Sequence, residues 1–138
     1  MREITKQMIN DFKIDKLRYD FMGYETNLKD LSFHHLIIPK RNCYACGLGD
    51  GYLYWNGAIL NQNTSHEYLH VVELYNPEMF LAITSELIDI NVSKKINLSN
   101  LKNIRDILNN FERQYSSFEK SNGQPLIKES YIKKRIKL

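Results

Sequence analysis

Residues 31–75 read LSFHHLIIPKRNCYACGLGDGYLYWNGAILNQNTSHEYLHVVELY. The stretch opens on a β-favouring run, LSFHHLII at 31–38, which Pro39 should end. Residues 40–51 carry Gly47, Gly49, Asp50 and Gly51 and read as a loop. Residues 52–60, YLYWNGAIL, favour a strand again, but Asn56-Gly57 interrupts them with a strong turn signal. Asn61 to Thr64 is polar and has no period. Ser65 is then placed to N-cap a helix running to about Tyr75, with Leu69 and Val72 on its inward face. The order is strand, loop, strand, helix.

Helices flank this unit on both sides. Upstream, Ile4, Met8, Ile9 and Phe12 predict an amphipathic helix over 3–14. Residues 15–30 are mixed, with a turn at Met22-Gly23. Downstream, Asn76-Pro77-Glu78 starts a second helix, asparagine capping and proline at the first helical position. Phe80, Ile83, Leu87 and Ile88 give it a buried stripe. A third helix begins near Ser99, with Leu101, Ile104, Leu108, Phe111 and Tyr115 at alternating three and four spacing. These two should pack as a hairpin over the first. Ser121 to Pro125 breaks the pattern before a basic tail. The expected organisation is one α+β domain over 1–138: an N-terminal helical segment at 1–30, the central unit at 31–75, a helical hairpin at 76–120 and the tail at 121–138.

Composition narrows the function class. At 138 residues the chain holds one hydrophobic core, and 43% hydrophobic with 25% charged residues is ordinary for a globular protein. No apolar run could span a bilayer, and the N-terminus has no secretory h-region, so a cytoplasmic protein without a membrane partner is expected. The net charge is +3, and the excess lies in the tail, where Lys128, Lys133, Lys134, Arg135 and Lys137 face a single Glu129. Such a tail can contact phosphate, with Lys133, Lys134 and Arg135 at its centre, or form a solvated helix end. Oligomeric state has no signature in the sequence.

The four histidines form two pairs, His34-His35 and His66 with His70, all between residues 34 and 70. Adjacent side chains on a regular strand point to opposite faces, so only a strand that ends or kinks there could offer both to one site. His66 and His70 lie four apart on the predicted helix and share a face, so they can chelate one ion. Three imidazoles with open positions suit a borderline ion such as zinc, nickel or manganese. A fourth, unligated imidazole could act as a general base.

The order FHHLIIP, WNGAIL, SHEYLH resembles the HNH, or ββα-metal, endonuclease superfamily, and the His-x3-His ending is similar to the DNase domains of colicins. The wider chain resembles short HNH proteins of low-GC Gram-positive bacteria and their mobile elements. The resemblance implies a ββα-metal core, a two-stranded hairpin plus helix, under two covering helices. It implies hydrolysis of phosphodiester bonds in DNA, with RNA as the second candidate substrate. His35 matches the general base, and His34, His66 and His70 match ligands of one divalent ion, with Mg, Mn, Ni and Zn all open. Asn56 matches the asparagine that holds the hairpin loop and orients the base. The family's phosphate-contacting arginine has no unique counterpart, and Lys40 and Arg41 are the nearest basic candidates.

Other readings compete for the same residues. Cys43-Tyr44-Ala45-Cys46 is one CxxC pair where many HNH domains carry two, so it reads as two reduced thiols rather than a zinc knuckle. His66-Glu67-Tyr68-Leu69-His70 spells HExxH, the zinc metalloprotease signature. That motif normally sits inside a long helix with a third ligand downstream, and here a loop precedes it and no histidine follows. It also leaves His34, His35 and Asn56 without a role. A non-catalytic member of the HNH fold, binding nucleic acid or a host-defence complex, is the third reading. Tyr52, Tyr54 and Trp55 could stack on bases but read first as packing residues.

Overall fold

The computed structural model describes the backbone of residues 1–122 and the side chains of residues 1–115. The tail residues Lys133, Lys134 and Arg135 lie outside this range. In chain order the elements are α1 (Glu3–Asp11), α2 (Ile14–Leu17), β1 (Leu31–His35), α3 (Lys40–Cys43), β2 (Gly57–Asn61), α4 (Ser65–Tyr75), α5 (Pro77–Ser93) and α6 (Leu98–Asn122). The architecture is α+β, with helices on both sides of one antiparallel hairpin in which Leu31 faces Asn61 and His35 faces Gly57.

Every residue of β2 is buried, whereas Ser32 and His35 of β1 are only half-buried. β2 is therefore the inner strand. Its Ile59 and Leu60 join Met8 and Phe12 of α1, Tyr68, Leu69 and Val72 of α4, Ile83 and Leu87 of α5, and Leu101, Ile104, Leu108 and Phe111 of α6 in one core. The apolar spacing expected along the three later helices matches this burial. Each fully buried aliphatic or aromatic side chain contributes roughly 1.5–3 kcal/mol of transfer free energy. Asn76 caps α5 by accepting from the Met79 N–H at 3.1 Å, with Pro77 at the first helical position. No helix among the described residues is long and apolar enough to cross a membrane.

Local expectations need correction at several points. The first helix ends at Asp11, because Lys13 takes a left-handed conformation before α2. β1 ends at His35 rather than at residue 38: the Leu36 N–H still reaches the Asn56 carbonyl at 2.7 Å, but the next two N–H groups turn to the Asn56 side chain. Residues 40–51 are not all loop, since Lys40–Cys43 make one helical turn. Residues 52–56 are not strand; Tyr54–Asn56 form a 3-10 turn, and Gly57 opens β2 with extended backbone. Asn56-Gly57 is therefore not the hairpin turn. Glycine is required at 57 for another reason, since a Cβ there would enter the Phe33 ring on the paired strand.

Ser65 is also not the cap of α4. Thr64 holds that position without a side-chain bond, and Ser65 is the first helical residue. The Ser65 hydroxyl instead donates to the fully buried carboxylate of Asp20. The same carboxylate accepts from the backbone N–H groups of Met22, Tyr24 and Asn61 at 2.9, 3.1 and 2.7 Å. Asp20 thereby ties the 20–24 turn to the end of β2 and the start of α4. That corner sets where the first turn of α4, and His66 within it, meets β1.

Candidate metal centre

Strand alternation places Ser32 and His34 on one side of β1 and Phe33 and His35 on the other. On the first side, one ring nitrogen from each of His34, His66 and His70 lies within 4.8 Å of the other two. Ring centroids are 5.0 Å apart for His34 and His66, 5.7 Å for His34 and His70, and 4.9 Å for His66 and His70. β1 supplies the buried imidazole and α4 the two outer ones.

Hydrogen bonds orient the outer imidazoles. The Ser32 hydroxyl has one proton, and the Leu60 carbonyl at 3.1 Å can only accept it. The hydroxyl oxygen lies 2.8 Å from His66 Nδ1; with its proton on the carbonyl it accepts from Nδ1–H, the tautomer that leaves Nε2 its lone pair for an ion. The Glu73 carboxylate does the same for His70, accepting from Nδ1 at 3.3 Å. Orientation of a ligating imidazole by an oxygen on its far nitrogen is the usual outer support of a metal site. His66 Nε2 and His34 Nδ1 approach to 3.3 Å, a separation bridged by one proton or by a shared cation. His34 Nε2 is buried without a hydrogen-bond partner. One converging nitrogen from each of the three rings fits a bound cation.

Burial, then the neighbouring imidazoles, push His34 down to about 3 and His66 down to about 4. Both are neutral at neutral pH, the form that ligates metal. Burial has the opposite effect on Asp20 and raises its carboxyl to about 6. These shifts set a pH dependence of folding. Below about pH 6.5 the unfolded chain binds protons at His34 and His66 that the fold rejects, so stability falls as pH falls toward 4. Asp20 opposes this: between about pH 4 and 6 the fold holds its proton and the unfolded chain does not, so its contribution is largest in acid. Two histidines outweigh one carboxyl. Urea unfolding in chelator should show a loss on the order of 2–3 kcal/mol between pH 7 and 4.5, and a steeper loss in Asp20→Asn.

On the other side of β1, His35 Nε2 is 2.8 Å from the Asp50 carbonyl oxygen. A carbonyl only accepts, so Nε2 donates and Nδ1 is left as the proton-accepting atom. The ring packs edge-on to Phe33 and Tyr52, with centroids at 5.1 and 4.7 Å. The Arg2 guanidinium lies 3.7 Å over the Tyr52 ring and pairs with the Asp50 carboxylate at 2.9 Å. The Tyr52 N–H first, and Arg2 after it, hold that carboxyl below the usual range.

Because β1 stops at His35, one cleft of about 1080 Å³ wraps round its end and is lined by His34 and His35, by His66 and His70, and by Lys40 and Arg41. Asn56 is fully buried behind it, its Oδ1 accepting from the Ile37 and Ile38 N–H groups and its Nδ2 donating to the Ile38 and Gly51 carbonyls. No family model, curated protein or solved structure matches this chain. The site therefore rests on its own geometry.

Glu67 of the HExxH string is exposed and does not line the cleft. The third imidazole comes from β1, upstream of that string. Cys43 and Cys46 are unbonded thiols, the first buried and the second exposed. Tyr52 and Tyr54 pack as expected, with the Tyr54 hydroxyl on Asp11 at 3.1 Å, while Trp55 is exposed. Sequence reasoning missed Ser32, Asp20, Asp50 and Arg2. It also missed Asn91, whose Nδ2 donates to the Tyr54 and Gly57 carbonyls at 2.8 and 2.6 Å and clamps the turn ending in Asn56.

Proposed function

We propose that β1, β2 and α4 form a ββα-metal core and that the chain is a metal-dependent endonuclease of the HNH type, hydrolysing DNA phosphodiester bonds. One observation carries this reading: three converging imidazoles and a separate imidazole with a free Nδ1 open into the same cleft as two cationic side chains. Phosphodiester hydrolysis needs a base for the attacking water and positive charge at the phosphate and the leaving oxygen.

His35 Nδ1 takes the water proton, and the Asp50 carbonyl keeps the ring from turning. Lys40 and Arg41 at the lip orient the phosphate backbone. His34, His66 and His70 would hold one divalent ion, which when bound supplies charge to the phosphate and the departing 3′ oxygen. Ser32 and Glu73 keep the two outer imidazoles aimed at that position.

The donor set contains three imidazoles and no carboxylate, which favours zinc or nickel over the oxygen-seeking magnesium. Zinc or nickel at about 100 times its Kd should stabilise the fold by about 2.7 kcal/mol. Thermal unfolding should therefore shift upward by several degrees with zinc or nickel, not with magnesium, and the shift should vanish in His70→Ala, whose side chain is half exposed. The functional test is plasmid nicking by purified protein with Mg²⁺, Mn²⁺, Ni²⁺ or Zn²⁺. Wild type that is inert with every ion, on both DNA and RNA, defeats the reading. Casein cleavage lost in Glu67→Gln would replace it with the metalloprotease.

A further inference from the structure

We propose that the cleft wall formed by Tyr44 and α5 receives an unpaired nucleobase, so that the substrate is single-stranded or locally opened DNA rather than intact duplex. This rests on the phosphodiesterase reading of the same cleft.

The cleft is too apolar for a phosphate track alone. Beyond the imidazoles its wall is built from Tyr44, Phe80, Leu81 and Ile88, with Lys40 and Arg41 on the lip. Tyr44 is 74% exposed and Leu81 63% exposed. A volume near 1080 Å³ is at the upper end of small-ligand clefts, ample for one nucleotide and its neighbours. A nucleotide is the ligand that joins both halves of this lining, an anion for the cations and imidazoles and a flat apolar ring for the wall. In a duplex the base faces are stacked and cannot reach the wall; an unstacked base can.

Charge points the same way. Outside the tail the chain is close to neutral, since the +3 total is more than covered by five basic residues against one acid after residue 121. Duplex affinity comes from many phosphate contacts along a basic face. The cleft instead offers two cations, and one carboxylate, Glu73, that is held on His70, beside an apolar wall, which suits a short unpaired stretch held by stacking.

The test uses the full chain carrying His35→Ala, to keep the probe intact, and the anisotropy of a labelled single strand of about 12 nucleotides. The single strand should bind about tenfold tighter than its duplex. Tyr44→Ala with Leu81→Ser should remove about tenfold on the single strand and nothing on the duplex, and an abasic site at the centre should reproduce that loss. Both residues are exposed, so the fold should survive the exchange. Equal single-strand and duplex affinity, indifferent to the variant, overturns the proposal. So does a wild-type dimer in sedimentation that the variant dissociates, because the wall would then be covered by a second copy. Cleavage with His35 restored separates the two readings. A variant-sensitive single-strand preference without cleavage keeps the wall and removes the nuclease. Duplex cleavage unaffected by the variant keeps the nuclease and removes the wall.

Discussion

His35→Ala is expected to lower the rate of phosphodiester cleavage by about 10²–10⁴-fold while leaving the metal-dependent rise in thermal stability intact. Its Nδ1 is the proton-accepting atom that the Asp50 hydrogen bond leaves free, and a general base contributes on this scale. The loss corresponds to about 3–5 kcal/mol of barrier. His35 lies outside the trio of ligand candidates, so binding of the ion should not change. The ring is only half-buried between Phe33 and Tyr52, so the fold should lose on the order of 1 kcal/mol. His34→Ala makes the contrast, losing cleavage and metal stabilisation together. Steady-state nicking beside thermal unfolding with and without zinc reads both quantities. A His35→Ala protein that nicks at the wild-type rate removes the base from the mechanism.

Much of this arrangement is legible in the chain because it is local. The helical stripes follow from three and four spacing, and the α5 start from Asn76-Pro77. The His66/His70 pair follows from one helical turn. The adjacent histidines at 34 and 35 posed a conflict, since alternation separates them. The structure resolves it by ending β1 at His35, so that the cleft reaches both faces. The cause of that ending is not local. It lies in Asn56, which captures the two N–H groups that would continue the strand. Asn56-Gly57 reads as a turn, and a 3-10 turn does end at Asn56, but the Asn56 side chain also makes long-range bonds that no local rule predicts. Asp20, Ser32 and Asn91 stay hidden for the same reason. Their partners lie 41, 34 and 34 residues away, and no spacing rule encodes such meetings.

Two of these hidden residues share a physical task with Asn56. Buried Asp20, Asn56 and Asn91 spend most of their hydrogen bonds on backbone groups that no strand or helix satisfies. Asp20 sets the corner that delivers His66, Asn91 clamps the turn before β2, and Asn56 holds the loop that carries Asp50 to His35. The site is thus fixed by satisfied backbone rather than by contacts among the imidazoles, whose mutual repulsion when protonated works against their convergence.

Asn56→Ala should therefore be the most damaging single exchange for stability. It would empty the fully buried place of the Asn56 side chain and strip the partner from the part-buried Ile37 and Ile38 N–H groups and Ile38 carbonyl, and from the buried Gly51 carbonyl. Each unsatisfied buried group costs about 1–3 kcal/mol, and partial relaxation brings the sum to about 3–5 kcal/mol. That is a large share of the roughly 5–15 kcal/mol available to a domain of this size. Urea unfolding measures it directly. Asn56→Asp separates shape from donation, since it keeps the acceptor for both N–H groups but loses the donors and buries a charge. It should also be destabilised, and where folded it should cleave slowly, because the Gly51 carbonyl it releases adjoins the Asp50 carbonyl that orients His35. A folded Asn56→Asp protein with wild-type stability would show that the loop is held by something else, and the orientation of His35 would then need another source.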